Sequence, residues 1–248
     1  MVLGPALGTL YAVALWAAAF VPASLAGSRI ASRIRALRES RSLTLSGLPI
    51  QCLFIALSMA VASYAPPHLD LLAMLTRVSP SAITASLESI AIAPLSAAAS
   101  YVLTKTTSLP QRLDREAMPR MLEEMSRIGA VDAAILLILA PIGEEMLFRG
   151  LLEGEMLAFR APLAVAIVVP ATLFALIHLE PFRELKPQAR AFIVANAFIL
   201  GALTSYLMAL TGSLIPSIVC HASANLGGIG YALLVKRSRS SRAVDRAD

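Results

Sequence analysis

The sequence predicts an all-α membrane protein: a polytopic bundle of about seven transmembrane helices with one amphipathic helix lying at the interface. Three observations carry this expectation. Of 248 residues, 57% are hydrophobic and 15% charged, with a mean hydropathy of +0.73, whereas soluble domains carry about 25% charged residues. Charge clusters and Pro/Gly breaks divide the chain into seven apolar stretches of roughly 20 residues, the length that a ~30 Å hydrocarbon core requires. Lys and Arg, finally, gather in alternate connections between those stretches.

The first stretch, Val2–Ala26, lacks a basic leader and is too long for the apolar core of a signal peptide, so it reads as a helix kept in the mature protein. The second and third, Leu43–Tyr64 and Ala82–Leu103, carry no motif. Between Leu109 and Arg127, charges interleave with Leu113, Met118, Met121, Leu122 and Met125, which predicts an amphipathic interfacial helix acting as a lid or an anchor. The remaining spans are Ile128–Glu153, Pro162–Leu179, Ala191–Leu210 and Leu214–Val235, followed by a basic tail. Everything from 1 to 248 reads as a single membrane domain: 1–103 without motifs, 104–127 cytoplasmic and amphipathic, 128–235 the core, and 236–248 the tail.

Five basic residues fall in Arg29–Arg41, five in Lys105–Arg127, three in Arg183–Arg190 and five in Lys236–Arg246. The opposite connections hold only Arg77 and Arg160. That bias predicts an amino terminus outside and a carboxyl terminus in the cytoplasm. The net charge of +5 is therefore a topology signal and not a nucleic-acid one, and the partner it predicts is a lipid bilayer. Cys52 and Cys220 lie in different spans and read as small core residues.

Three polar groups interrupt the apolar spans. Glu144 and Glu145 are adjacent, with Arg149 four residues on. One carboxylate at bilayer depth costs on the order of 3 kcal/mol, so a pair of them needs a reason. At ~100° per residue, Arg149 lies about 40° around the helix from Glu145 but about 140° from Glu144. Glu145 and Arg149 thus form an i,i+4 pair, while Glu144 turns towards some other neighbour. Phe174 and His178 share one face of the fifth span. His221 and Asn225 share a face of the last, where both could donate hydrogen bonds to one point. The glycines behind them, Gly227, Gly228 and Gly230, suit close helix packing.

Together these residues form a parts list for hydrolysing an amide inside a membrane: a base to activate water and donors to stabilise an oxyanion. Glu144, His178 and His221 could instead hold a zinc ion whose bound water attacks. Glu88 could face the same cavity or lie near the outer interface, and Asn196 and Thr204 are expected to bond to neighbouring helices.

In this order, and on separate apolar spans, Glu144-Glu145 with Arg149, Phe174 with His178, and His221 with Asn225 resemble the CPBP family. This family comprises the CAAX proteases and bacteriocin-processing enzymes, also called Abi proteins. The stretch Thr211–Pro216 before the last motif fits as well, and the resemblance covers roughly Ala130–Leu226. It implies an intramembrane endopeptidase in a bacterial or archaeal cell membrane, of a family named as metalloproteases. Glu144 and His178 would activate the attacking water, His221 and Asn225 would form the oxyanion site, and Glu145 and Arg149 would support the geometry. The partner implied by the resemblance is a membrane-associated peptide or protein substrate, a prenylated CAAX protein or a bacteriocin-like peptide. Direct activation of water by glutamate and histidine is expected; the alternative cofactor is one Zn²⁺ on Glu144, His178 and His221. Competing functions are a peptide-binding immunity protein without turnover, a proton-coupled transporter and a haem protein with His178 and His221 as axial ligands.

With the spans as drawn, Glu144 lies about 25 Å from the inner face and His178 about 24 Å from the outer one, too far apart in depth to cooperate. A fourth span that starts later and runs to Phe159 would move Glu144 towards the middle.

Overall fold

A computed structural model of the chain describes residues 4–34, 44–107 and 117–244. Among these the protein is all helical: α1 (Pro5–Arg33), α2 (Leu48–Tyr64), α3 (Leu71–Thr76), α4 (Pro80–Ile90), α5 (Ile92–Thr107), α6 (Ala117–Met125), then a continuous helical run over 130–158 (α7), α8 (Leu163–Ile177), α9 (Pro187–Thr211) and α10 (Leu214–Val244). In α7, α-helical turns at Ala130–Ala134, Ala140–Glu145 and Gly154–Ala158 alternate with π-helical stretches at Ile135–Leu139 and Met146–Glu153.

Helix α7 is the axis of the fold. Its residues from Glu145 to Met156 are all buried, as expected for a helix surrounded on every side. On one side α1 and α2 pair with each other and pack on it; on the other stand α8, α9 and α10. Helix α1 turns a stripe of Gly8, Ala12, Trp16, Ala19, Ala23 and Gly27 inward, and small residues at this spacing let membrane helices approach closely. Trp16 fills the gap they leave, stacked on Phe20 and 5.6 Å from the ring of Phe148. Helices α4, α5 and α6 pack on the far side of α10. There Gly227 abuts Ser96 and Ala93, the close helix contact that the glycines promised.

Much of the outside is apolar, with Leu10, Leu95 and Ile199 each about two-thirds exposed, while Glu145, Arg149, Glu153 and Glu155 are buried. That inversion is what hydrocarbon as a solvent selects. Among the described residues, five helices are long and apolar enough to cross a membrane: Pro5–Arg33, Leu45–Tyr64, Pro80–Leu103, Pro187–Thr211 and Leu214–Ser238. The protein is thus an all-α polytopic membrane protein.

Several expected boundaries move. The third span is interrupted at Ala91. The fifth, read as Pro162–Leu179, shrinks to the 15 residues of Leu163–Ile177, short of a full crossing. The last continues as helix through Val244, so the basic tail is largely an extension of α10 and not a separate segment. Of the amphipathic stretch Leu109–Arg127, residues 109–116 lie outside the described residues; Ala117–Met125 is helical, with Leu122 and Met125 packed against Tyr231 and Val235 of α10. Most of the basic cluster at Arg29–Arg41, together with Arg112, Arg115 and Arg246, also lies outside them.

The depth conflict resolves through α7. The run ends at Ala158, close to the later boundary at Phe159, and Glu144 stands at its midpoint. Counted back from Ala158, Glu144 is about 21 Å deep at 1.5 Å per residue; His178, counted from Leu163, is about 22 Å deep. Glu144 and His178 therefore share one level.

Candidate active site

The site begins with the ion pair. Glu145 Oε2 lies 3.2 Å from Arg149 Nε, and both side chains are fully buried. Arg149 also donates from Nη2 to the carbonyl of Gly201 on α9 at 2.9 Å, and its guanidinium carbon stands 4.8 Å from the centre of the Phe174 ring. A planar guanidinium is suited to this combination of ion pair, hydrogen bond and stacking. Gly201 makes room for it: a Cβ there would meet Arg149 Nη2 at 3.2 Å and the Ala171 backbone at 3.0 Å. The sequence-predicted i,i+4 pair is present, and through it α7 is fastened to α9.

The other oxygen of Glu145 binds His221. Glu145 Oε1 and His221 Nδ1 are 2.8 Å apart and buried. An ionised carboxylate only accepts, so Nδ1 carries the hydrogen. This fixes the imidazole from behind and turns Nε2 towards Glu144, whose Oε2 is 3.9 Å away. That separation is too long for a hydrogen bond and leaves room for an oxygen atom beside both groups.

Glu144 has its own partner, as the helical geometry required. Gln51 on α2 donates from Nε2 to Glu144 Oε1 at 2.9 Å. No sequence motif singled out Gln51. The available signal was a carboxamide near the start of a predominantly apolar helix, a group that must find a partner there.

Phe174 gathers the second and third motifs. Its ring lies edge-to-face with His221 at 5.6 Å and is tilted 4.7 Å from His178, so the two imidazoles flank one phenyl ring. His178 is the residue that ends α8. Its Nδ1 is 2.7 Å from the carbonyl of Phe174; a carbonyl only accepts, which leaves Nε2 as the free basic nitrogen.

Asn225 donates from Nδ2 to the carbonyl of Leu136 at 2.8 Å. The π-helical register explains why this carbonyl needs a side chain. The N–H of Ala140 bonds back to Ile135, so the next donor in that register belongs to residue 141, which is a proline and has none. Asn225 supplies the missing donor and keeps a second N–H for other use.

Other polar residues stand apart from this group. Glu88 is exposed on α4. Asn196 is exposed and bonds to Phe192 within its own helix, and the Thr204 hydroxyl likewise bonds to Leu200 and Gly201 of its own helix. The expected bonds to neighbours do not form from those side chains, since an i−4 carbonyl is the nearer acceptor; the interhelical link instead runs from Ser217 to the Thr204 carbonyl. Cys52 is exposed and not a core residue, whereas Cys220 is buried.

As placed, these donors do not form a ready-made zinc site. Among the described residues no three His, Cys, Asp or Glu side chains stand close enough to hold one. Glu144 and His221 are 3.9 Å apart, wider than two tetrahedral ligands at about 2.0 Å from a metal would be, and His178 completes no triad with them.

No curated protein and no solved structure matched the chain. A family match covers residues 127–227, with the description Type II CAAX prenyl endopeptidase Rce1-like. That segment holds α7 to α9, the first half of α10 up to Gly227, and every motif residue. Over residues 127–227 the chain is therefore similar to the type II CAAX prenyl endopeptidase Rce1-like family.

Proposed function

We propose that the protein is an intramembrane endopeptidase that hydrolyses a peptide bond of a membrane-associated substrate, with Glu144 as general base. The observation that carries this reading is the gap between Glu144 Oε2 and His221 Nε2, 3.9 Å wide and lined by groups that other residues hold in place. Glu144 is 14% exposed while Glu145, Arg149 and His221 are nearly or wholly buried, so water can reach the acid but not the ion pair behind it.

Water bound to Glu144 attacks the scissile carbonyl carbon as Glu144 takes its proton. The new C–O bond places negative charge on the carbonyl oxygen. His221, anchored through Nδ1, faces this charge with Nε2; donation from there requires a doubly protonated ring, whose charge Glu144 balances before the attack and the oxyanion after it. The second N–H of Asn225 supports the same oxygen. When the C–N bond breaks, the proton held by the site passes to the departing amine. His178, with Nε2 free, is the second proton-handling group at the level of Glu144. No step runs through a metal.

The test is cleavage of a quenched fluorescent peptide library, with and without a prenyl group, by detergent-purified protein and by Glu144→Ala. Loss of cleavage in the variant supports the reading, and preference between the two peptide sets identifies the substrate class. A strong chelator should leave the rate unchanged; its abolition by chelation, with recovery on adding Zn²⁺, overturns the metal-free route. Equal cleavage by both proteins would remove Glu144 from the mechanism. Binding of peptides without cleavage would favour a peptide-binding immunity protein.

A further inference from the structure

We propose that Gln51, on a helix outside the family match, is a positioning residue for the proposed base, selecting which oxygen of Glu144 faces the reaction; this rests on the peptidase reading. The torsion that turns a glutamate carboxyl group is broad and nearly two-fold, so nothing within Glu144 itself decides how its oxygens point. The amide of Gln51 decides it by occupying Oε1 at 2.9 Å, which leaves Oε2 towards His221.

The amide is held in turn. Its Oε1 is buried and has no hydrogen-bond donor, because it is pressed against the bare Cα of Gly143. A Cβ at that position would stand 2.6 Å from Gln51 Oε1 and 3.0 Å from the Gln51 carbonyl. Flipping the amide would set its oxygen against an ionised carboxylate, and only the observed face presents an N–H. A buried acceptor left unsatisfied is uncommon, and here it is the far end of a group whose near end orients Glu144. Gly143 and Gln51 together form a cradle behind the base, with one half supplied by α2.

Because the free end of the amide is sealed, Gln51 touches no substrate. Its removal should therefore act on turnover and not on binding. In Gln51→Met, which keeps length and loses the donor, kcat should fall about 10- to 100-fold, the scale of a misplaced reacting group. KM and the melting temperature should stay at the wild-type values. Infrared difference spectra provide a readout independent of turnover: the carboxylate band identified by its loss in Glu144→Gln should shift in Gln51→Met. Wild-type kcat in Gln51→Met overturns the proposal, as does a loss that appears in KM or follows a fall in melting temperature. If the wild-type protein cleaves nothing, the peptidase reading fails by itself and the infrared band decides the contact. A shifted band then supports the orienting role, and an unshifted one overturns it.

Discussion

Asn225 hydrogen-bonds the main-chain carbonyl of Leu136 at 2.8 Å, repairing a gap that Pro141 and the π-helical turn around it create. A residue placed in the proposed oxyanion site thus also holds the backbone of the catalytic helix. Asn225→Ala should destabilise the protein by about 1–3 kcal/mol through the orphaned carbonyl, and lower kcat by about 10²–10³ if it is an oxyanion donor. Adding Pro141→Ala returns an N–H to the helix. The double variant is expected to recover thermal stability in detergent without recovering cleavage.

Glu145 serves two buried partners at once, Arg149 and His221. Glu145→Ala strands a guanidinium with no counter-charge, a change that costs about 3–5 kcal/mol. Thermal unfolding should show a large drop. Arg149→Lys should also unfold early, because an ammonium cannot stack on Phe174 and reach Gly201 together. Wild-type melting for either variant would contradict the buried network.

Phe174 separates two histidines and supports a cation. Phe174→Ala should lose about 3–5 kcal/mol through the cavity and nearly all turnover. Phe174→Leu fills most of the space and should fold nearly as well. It should still cleave more slowly, since an aliphatic side chain gives neither imidazole an aromatic face. Comparing kcat with melting temperature for the pair tests this.

Further along α7, Glu155 is fully buried and neither of its carboxyl oxygens has a hydrogen-bond partner among the described residues. Such a group is a burden on folding. Glu155→Leu should raise the melting temperature while cleavage stays unchanged, the gain being about 1–3 kcal/mol. A fall in melting temperature would mean that Glu155 has a partner in the membrane.

Much of this was legible in the residues. Hydropathy found the long helices because a bilayer imposes length and apolarity together, and the i,i+4 rule paired Glu145 with Arg149 because that contact is local. The partner of Glu144 was not legible: Gln51 lies 93 positions away, and no local periodicity encodes a contact between distant helices. The π-helical stretches were invisible for another reason. A register shift of one residue alters no composition. Glu144 and His178 fell at different depths because the fourth span was ended at Glu153, five residues short of Ala158. The break at Ala91 did have a local signal, Pro94, which has no N–H for the Ile90 carbonyl. Asn196 and Thr204 were misjudged because their own i−4 carbonyls compete with every neighbouring helix.

The midpoint position of Glu144 on α7 also sets a ruler for whatever is cut. An extended chain advances about 3.3 Å per residue, so one threading in from either water face needs roughly six residues to cover ~21 Å. Peptides anchored at the surface with a shorter reach should be spared, however well their sequence fits. Adding residues between anchor and scissile bond should switch cutting on abruptly once the span is met.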